Sequence, residues 1–441
     1  MKQICVGITG LVLLTVMAAC TAETSDLEQA NVVVTTSAPD YQWVQLGAGG
    51  AIIVRAIYTQ PGQPCPSIAT VDQQGTTAAV AMHNRVGTGS MPPDFDITVC
   101  EATLAHDLQS ATLGGKQLAL PESSPQRMLV IGDTGCRMKD NTFQNCNDSP
   151  NVDTTEVEEW LFTETVSSAL ARQSDLVIHV GDYIYREAEC PPEDQERCGG
   201  SSYGQNWATW AVDFFNPADS LLEAAPWVFA RGNHESCERE WRGWYLFLDP
   251  YPLTNPDSAA WEACASGQYR SAPFQVPLDS LQLLVMDSAD SAHRKDYQDA
   301  FEKRTGSDPA WFITHRPLWG VGATYDDQPP SGVVADAQQA NVKFLVGGHL
   351  HLFEMIQFLN DQSPPQLVAG GGATELDDFV STSRFNDVLT NHFHITGDPG
   401  QSEVVYKFTF VLVEVQSDAW HIKVIDQDGI TEKRSFVIQK T

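Results

Sequence analysis

Positive charge is what this sequence is short of. Its 26 lysines and arginines stand against 57 aspartates and glutamates, a formal net charge of −31 over 441 residues. Binding to nucleic acid or to an anionic membrane surface by bulk electrostatics is thereby excluded. Cysteines in C-x-x-C spacing are absent too, which removes zinc ribbons and thioredoxin-like redox motifs from consideration. After residue 20, no apolar run reaches the ~20 residues that a membrane-spanning helix needs. What remains is a chain long enough for one large domain and a smaller one.

Residues 1–19 read as a targeting segment, with Lys2 as a positive start and Ile4–Val16 as an apolar stretch too short to span a bilayer. Met17-Ala18-Ala19-Cys20 resembles the lipobox of bacterial lipoproteins, which implies lipidation of Cys20; plain secretion after cleavage nearby is the alternative. Export is expected either way, to the periplasm, the outer membrane or the medium, with the membrane touched only through the lipid anchor. Apart from Cys5 and Cys20, eight cysteines remain, an even set suited to an oxidising compartment. Short intervals make pairing of neighbours the economical arrangement: Cys65–Cys100, Cys136–Cys146, Cys190–Cys198 and Cys237–Cys264.

From 31 to about 121 the pattern is all-β. Short apolar runs at Val32–Val34, Trp43–Leu46, Ala51–Tyr58, Thr77–Met82 and Ile97–Cys100 alternate with Gly-, Pro- and Asp-rich turns, the spacing of a small sandwich. His83 and His106 stand alone there and are expected to have surface or structural roles. Pro121–Pro125 is the expected linker to a second domain at 126–441.

That domain opens differently. Met128–Ile131 is a buried strand ending in Gly132-Asp133-Thr134-Gly135. Thr154–Arg172 has apolar residues at helical spacing, and Leu176–Val180 is a second strand running into Gly181-Asp182-Tyr183-Ile184-Tyr185. Strand, helix, strand predicts a right-handed parallel unit. Further strands deliver Gly232-Asn233-His234-Glu235, then His315, then Gly348-His349-Leu350-His351, while Leu281–Asp287 is one more. The tail, with strands over Val404–Val415 and His421–Ile425, is expected to close a second sheet.

Each piece alone has an ordinary reading: Gly-Asp as turn chemistry, Asn233 as a helix cap, His315 as a loop histidine. Together they place two carboxylates, an amide oxygen, three imidazoles and a phenol at strand carboxyl ends, where α/β sheets bind ligands. Asp133, Asp182, Asn233, His315, His349, His351 and Tyr185 are donors suited to two first-row metals, with Asp182 able to bridge. Ions ~3.5–4 Å apart acidify a water and clamp both oxygens of a phosphoryl transfer. A phenol ionises near pH ~10, so a phenolate ligand at neutral pH points to a strong Lewis acid such as ferric iron.

As a set, these five motifs resemble those of purple acid phosphatases, within the calcineurin-like metallophosphoesterases, over about Arg127–Glu354. The resemblance implies an α/β fold, a four-layered sandwich of two mixed β-sheets flanked by helices, preceded by a small all-β sandwich-like domain. It assigns Asp133, Asp182, Tyr185 and His351 to Fe(III), and Asp182, Asn233, His315 and His349 to a divalent ion, iron, zinc or manganese. It makes His234 the catalytic residue that contacts phosphate or protonates the leaving group. The expected activity is hydrolysis of phosphomonoesters, small-molecule substrates, by a metal-bound hydroxide. A phosphodiesterase or nucleotidase, and a lipid-anchored binding protein without turnover, are the alternatives. The segments between the motifs, including Cys190–Cys198 and Cys237–Cys264, depart from the eukaryotic enzymes and leave substrate choice open.

Four arginines, Arg137, Arg186, Arg231 and Arg316, sit within two residues of a motif. They either pair with local carboxylates or hold phosphate oxygens. His179 is expected to pack behind the site, and His392-x-His394 to lie in a loop.

Overall fold

The computed structural model describes residues 38–440 except 88–90, 140–141, 148–157, 254–263, 265–269, 291, 324–325, 360–362 and 395–401. The targeting segment and Cys20 lie outside the described residues, as does Val32–Val34. No helix among the described residues is long and apolar enough to cross a membrane.

The architecture is α/β with two mixed sheets face to face. At the centre of the first are Arg127–Ile131, Leu176–His179 and Trp227–Phe229, paired in parallel. The second runs from Phe274–Leu278 through Leu281–Met286, Ala310–Thr314, Val342–Gly347 and Gln366–Ala369 to Phe353–Ile356 and Glu403–Val405. Strand alternation builds the layers. Met128 and Val130 face the other sheet's Leu283, Ile313 and Val346 in one core. Leu129 and Ile131 face outward, against Val166 of the Phe162–Leu170 helix and Leu221 of the Asn216–Ala224 helix. The Arg294–Phe301 and Val333–Gln339 helices cover the second sheet's outer face. This is the expected four-layered order.

The strand-rich region ahead of residue 121 is present, but it is not a free-standing sandwich. Tyr41–Leu46 pairs in parallel with Trp227–Phe229, and Ile52–Tyr58, Thr98–Leu104 and His83–Asn84 continue the first sheet beyond it. Only Ser67–Asp72, Thr77–Ala81, Leu108–Leu113 and Lys116–Gln117 form a separate sheet, and residues 37–441 make one compact unit. Two fully buried arginines fasten the junction. Arg55 and Arg85 reach Glu101 and the carbonyls of Tyr245, Phe247 and Asp249. With those donors satisfied across the boundary, separating the halves would strand buried charge.

The tail also differs from expectation. Glu403–Val405 joins the second sheet, but Thr409–Val415 crosses to pair antiparallel with Arg127–Ile131, followed by Ala419–Asp426 and Glu432–Gln439. Of the helix expected over Thr154–Arg172, residues 154–157 lie outside the described residues, 158–161 are not helical, and the helix runs Phe162–Leu170. Before it, Glu159 bridges to Asn145 and Trp160 Nε1 donates to Thr134 O at 2.8 Å, contacts that hold the chain extended.

Candidate metal centre

All seven ligand-type residues and His234 meet at the carboxyl ends of these strands. Tyr185 Oη lies 2.9 Å from Asp133 Oδ1, 2.8 Å from Asp182 Oδ2 and 2.8 Å from His351 Nε2. A phenol carries one hydrogen, and three acceptors surround it. On the other side of Asp182, His315 Nε2 lies 3.1 Å from the same Oδ2 and 3.0 Å from Asn233 Oδ1. His315 Nδ1 faces the Val180 carbonyl at 2.9 Å, so in the neutral ring Nε2 is a lone pair aimed at two further lone pairs. His351 is set the same way, with Nδ1 donating to Glu375 O at 2.8 Å. Donor atoms of Asp182, His315 and His349 all lie within 4.8 Å of one another. Both groups have more lone pairs than hydrogens to share, and cations resolve that shortage.

Asp182 joins the two groups through one oxygen. Its Oδ1 is occupied by the backbone N–H of His234 at 2.8 Å, leaving Oδ2 common to Tyr185 and His315. Electrostatics agree. Burial and the neighbouring Asp182 push the Asp133 carboxyl well above the usual carboxylate range. Burial, Asp133 and Asp182 push the Tyr185 phenol well above its ordinary value. A pocket of this kind needs positive charge from outside the chain. The residues present therefore fit a pair of metal ions.

The backbone is bent to bring these groups in. Asp133, Asp182 and His349 have φ of 58°, 57° and 74°, left-handed conformations that cost energy outside glycine. Gly181, at φ 105°, lets His315 Nδ1 approach to 2.7 Å of where a Cβ would stand. Glu235 ties two motif loops together, accepting from the N–H groups of Asp182, Tyr183, Ile184 and Gly232 at 2.8–3.3 Å. Asp213, from the helical segment preceding Asn216, accepts from the N–H groups of Cys136 and Tyr185. His179 packs behind the site, stacked on Tyr183 at 4.1 Å with Nε2 3.0 Å from Thr134 Oγ1.

Above these buried groups opens a cleft of about 350 Å³, lined by Arg137, Asp182, Asn233, His234, His349, His351 and Asp377. The His234 ring lies 3.8 Å from that of Tyr185, and its Nδ1 is 2.6 Å from Glu187 Oε1. Burial lowers this imidazole's hold on a proton, while Asp182 and Glu187 work against that. Glu187 and Asp213 are neighbours of the site that sequence reasoning did not single out, and Glu235 was read only as part of its motif. Glu187 follows Tyr185 by two residues, and that proximity was the available signal.

The arginines divide. Arg186 pairs with the buried Asp213, and Arg231 with Asp287 at 3.0 Å. Arg137 stands on the cleft wall, 3.4 Å from Glu375. Arg316 Nη1 points at His349 Nε2, 3.0 Å away.

All four disulfides pair as expected from sequence. They fit an oxidising compartment, periplasmic or extracellular. Cys237–Cys264 touches the site indirectly: both sulfurs lie within 3.6 Å of Arg231 Nη2, whose Nε donates to Glu235 O at 2.8 Å. Such bridges contribute ~2–4 kcal/mol in chain-entropy models. In a graded titration with thiol reductant, activity and metal content are expected to fall before far-UV circular dichroism does. Simultaneous loss of all three would show that the bridges serve only the fold.

Residues 126–353, about half the chain, match the calcineurin-like phosphoesterase family, and the chain belongs to it. That makes the protein a phosphoesterase of a class built around two metal ions. Among solved structures it is similar to the purple acid phosphatase PPD1 from yellow lupin (Lupinus luteus) seeds, with TM-score 0.56 and 15% identity over 91% of this chain and 74% of that one. It is also similar to PhoD, with TM-score 0.50 and 12% identity over 92% and 91% of the two chains. At such identities the likeness is one of fold. No curated protein matches the sequence significantly.

Proposed function

We propose that the protein is an exported phosphomonoesterase holding Fe(III) at Asp133, Asp182, Tyr185 and His351, and a divalent iron, zinc or manganese ion at Asp182, Asn233, His315 and His349. The observation that carries this reading is the Tyr185 hydroxyl, enclosed by three acceptors at 2.8–2.9 Å. A phenol in that position favours a strongly acidic ion, because weaker ones leave it protonated. When bound, the two ions supply the Lewis acidity that activates water and neutralises phosphoryl charge. The chain's own residues do the rest. Asp182 Oδ2 fixes the spacing of the two sets, and Glu187 orients His234 at the cleft to protonate the departing oxygen. Export is supported by the four disulfides and the lipobox-like Met17–Cys20. The −31 charge leaves a small phosphate ester as the expected partner and disfavours nucleic acid.

The test compares a chromogenic monoester with its diester, before and after metal removal, alongside the visible spectrum. Monoester turnover abolished by chelation, in a purple to pink protein whose band disappears in Tyr185→Phe, is the expected result. Preference for the diester would make the protein a phosphodiesterase. Bound phosphate without turnover would make it a binding protein. A colourless, zinc-filled and fully active protein would overturn the iron assignment.

A further inference from the structure

Arg316 differs from the other arginines beside the motifs. Its backbone N–H donates to Ser288 Oγ at 2.9 Å, and among the described residues its guanidinium makes one hydrogen-bond contact, Nη1 to His349 Nε2 at 3.0 Å. Nε is buried and unsatisfied, and no carboxylate pairs with this side chain among the described residues. In a chain with 57 acids and 26 bases, a partly buried arginine without an acid is out of place. Arg186 and Arg231, equally close to motifs, both have buried carboxylates. A guanidinium has five donors and no acceptor, so four of them still seek an anion. The imidazole nitrogen it now serves is also a candidate donor to a cation. Once that lone pair is engaged elsewhere, the guanidinium has no acceptor left among the described residues. Arg137, which lines the cleft together with His351, is already held by Glu375.

We propose that Arg316 is a specificity residue that pairs with non-bridging phosphate oxygens of the substrate and favours dianionic monoesters over monoanionic diesters. This rests on the phosphoesterase reading above. Two charge-assisted hydrogen bonds from a guanidinium suit a terminal phosphate, and a diester offers one oxygen and one charge fewer. Through His349, which lines the cleft, this guanidinium is held beside the space that Arg137 also borders, so two arginines would share the substrate phosphate. It explains why a protein this acidic keeps an unpaired base at this place.

The experiment measures inorganic phosphate binding by calorimetry to the metal-loaded protein, with metal content determined in parallel and monoester and diester kinetics on the same samples. Arg316→Ala is expected to weaken phosphate binding about 10- to 100-fold with both ions retained, and Arg316→Lys to recover part of it. Monoester kcat/KM should fall about ten-fold further than diester kcat/KM, mostly through KM. Unchanged phosphate affinity at full metal content overturns the proposal. Should Arg316→Ala shed metal, Arg316→Gln decides, since it keeps a donor for His349 without the charge. Wild-type phosphate affinity in Arg316→Gln overturns the proposal, and weakened affinity at full metal content supports it. A wild type that prefers diesters refutes the monoesterase reading, while the calorimetry still judges Arg316.

Discussion

Asp182→Asn is expected to fold normally and lose at least about 10³-fold in activity, some 4 kcal/mol of transition-state stabilisation. Asparagine tolerates the left-handed backbone that Asp182 adopts at φ 57°, and its side-chain oxygen can still accept from His234 N–H. What it cannot supply is the negative charge shared through Oδ2 between the Tyr185 and His315 sides. Metal analysis should therefore fall from two ions per chain to one or none, while far-UV circular dichroism stays unchanged. Two retained ions with near-normal turnover would remove Asp182 from the bridging role.

The second large effect is selective. His234→Ala should keep both ions yet lose about 10²–10⁴-fold in kcat on an alkyl phosphate, the usual worth of general acid assistance. On p-nitrophenyl phosphate the loss should be far smaller, because nitrophenolate leaves without a proton. Glu187→Gln should show the same asymmetry at lower amplitude, since the 2.6 Å contact to Nδ1 orients the ring. Equal losses on both substrates would show that His234 binds phosphate and delivers no proton.

Much of this site was legible in the sequence because buried parallel strands advertise themselves. Met128–Ile131 and Leu176–Ile178 are unbroken apolar runs, and the Gly-Asp pairs that soon follow them mark where the chain leaves the sheet. The disulfides were legible because the cysteines fall into close neighbours. The pairing of Gln45 with Trp227 was not, since strand patterning fixes which face is buried and says nothing of the partner. The same limit hid the return of Thr409–Val415 to the first sheet. Glu187 and Asp213 were hidden for another reason. In a chain with 57 acids, a carboxylate that meets its partners only through the fold, as Asp213 meets the N–H groups of Cys136 and Tyr185 and Glu187 meets His234, does not stand out. Arg186 and Arg231 needed coordinates to reveal their buried partners.

The central sheet also sets the order in which the chain can fold. Its three parallel strands lie between Tyr41–Leu46 on one side and Thr409–Val415 on the other, segments from opposite ends of the described chain. As the chain emerges during synthesis, the first hairpin waits with an open edge until Trp227–Phe229 arrives. The Arg127–Ile131 edge stays open almost to the end. Such long-range pairings are slow to form and leave sticky edges exposed meanwhile. The 126–353 segment that defines the family is thus a unit of ancestry and chemistry, while the unit that folds reaches well beyond both its ends.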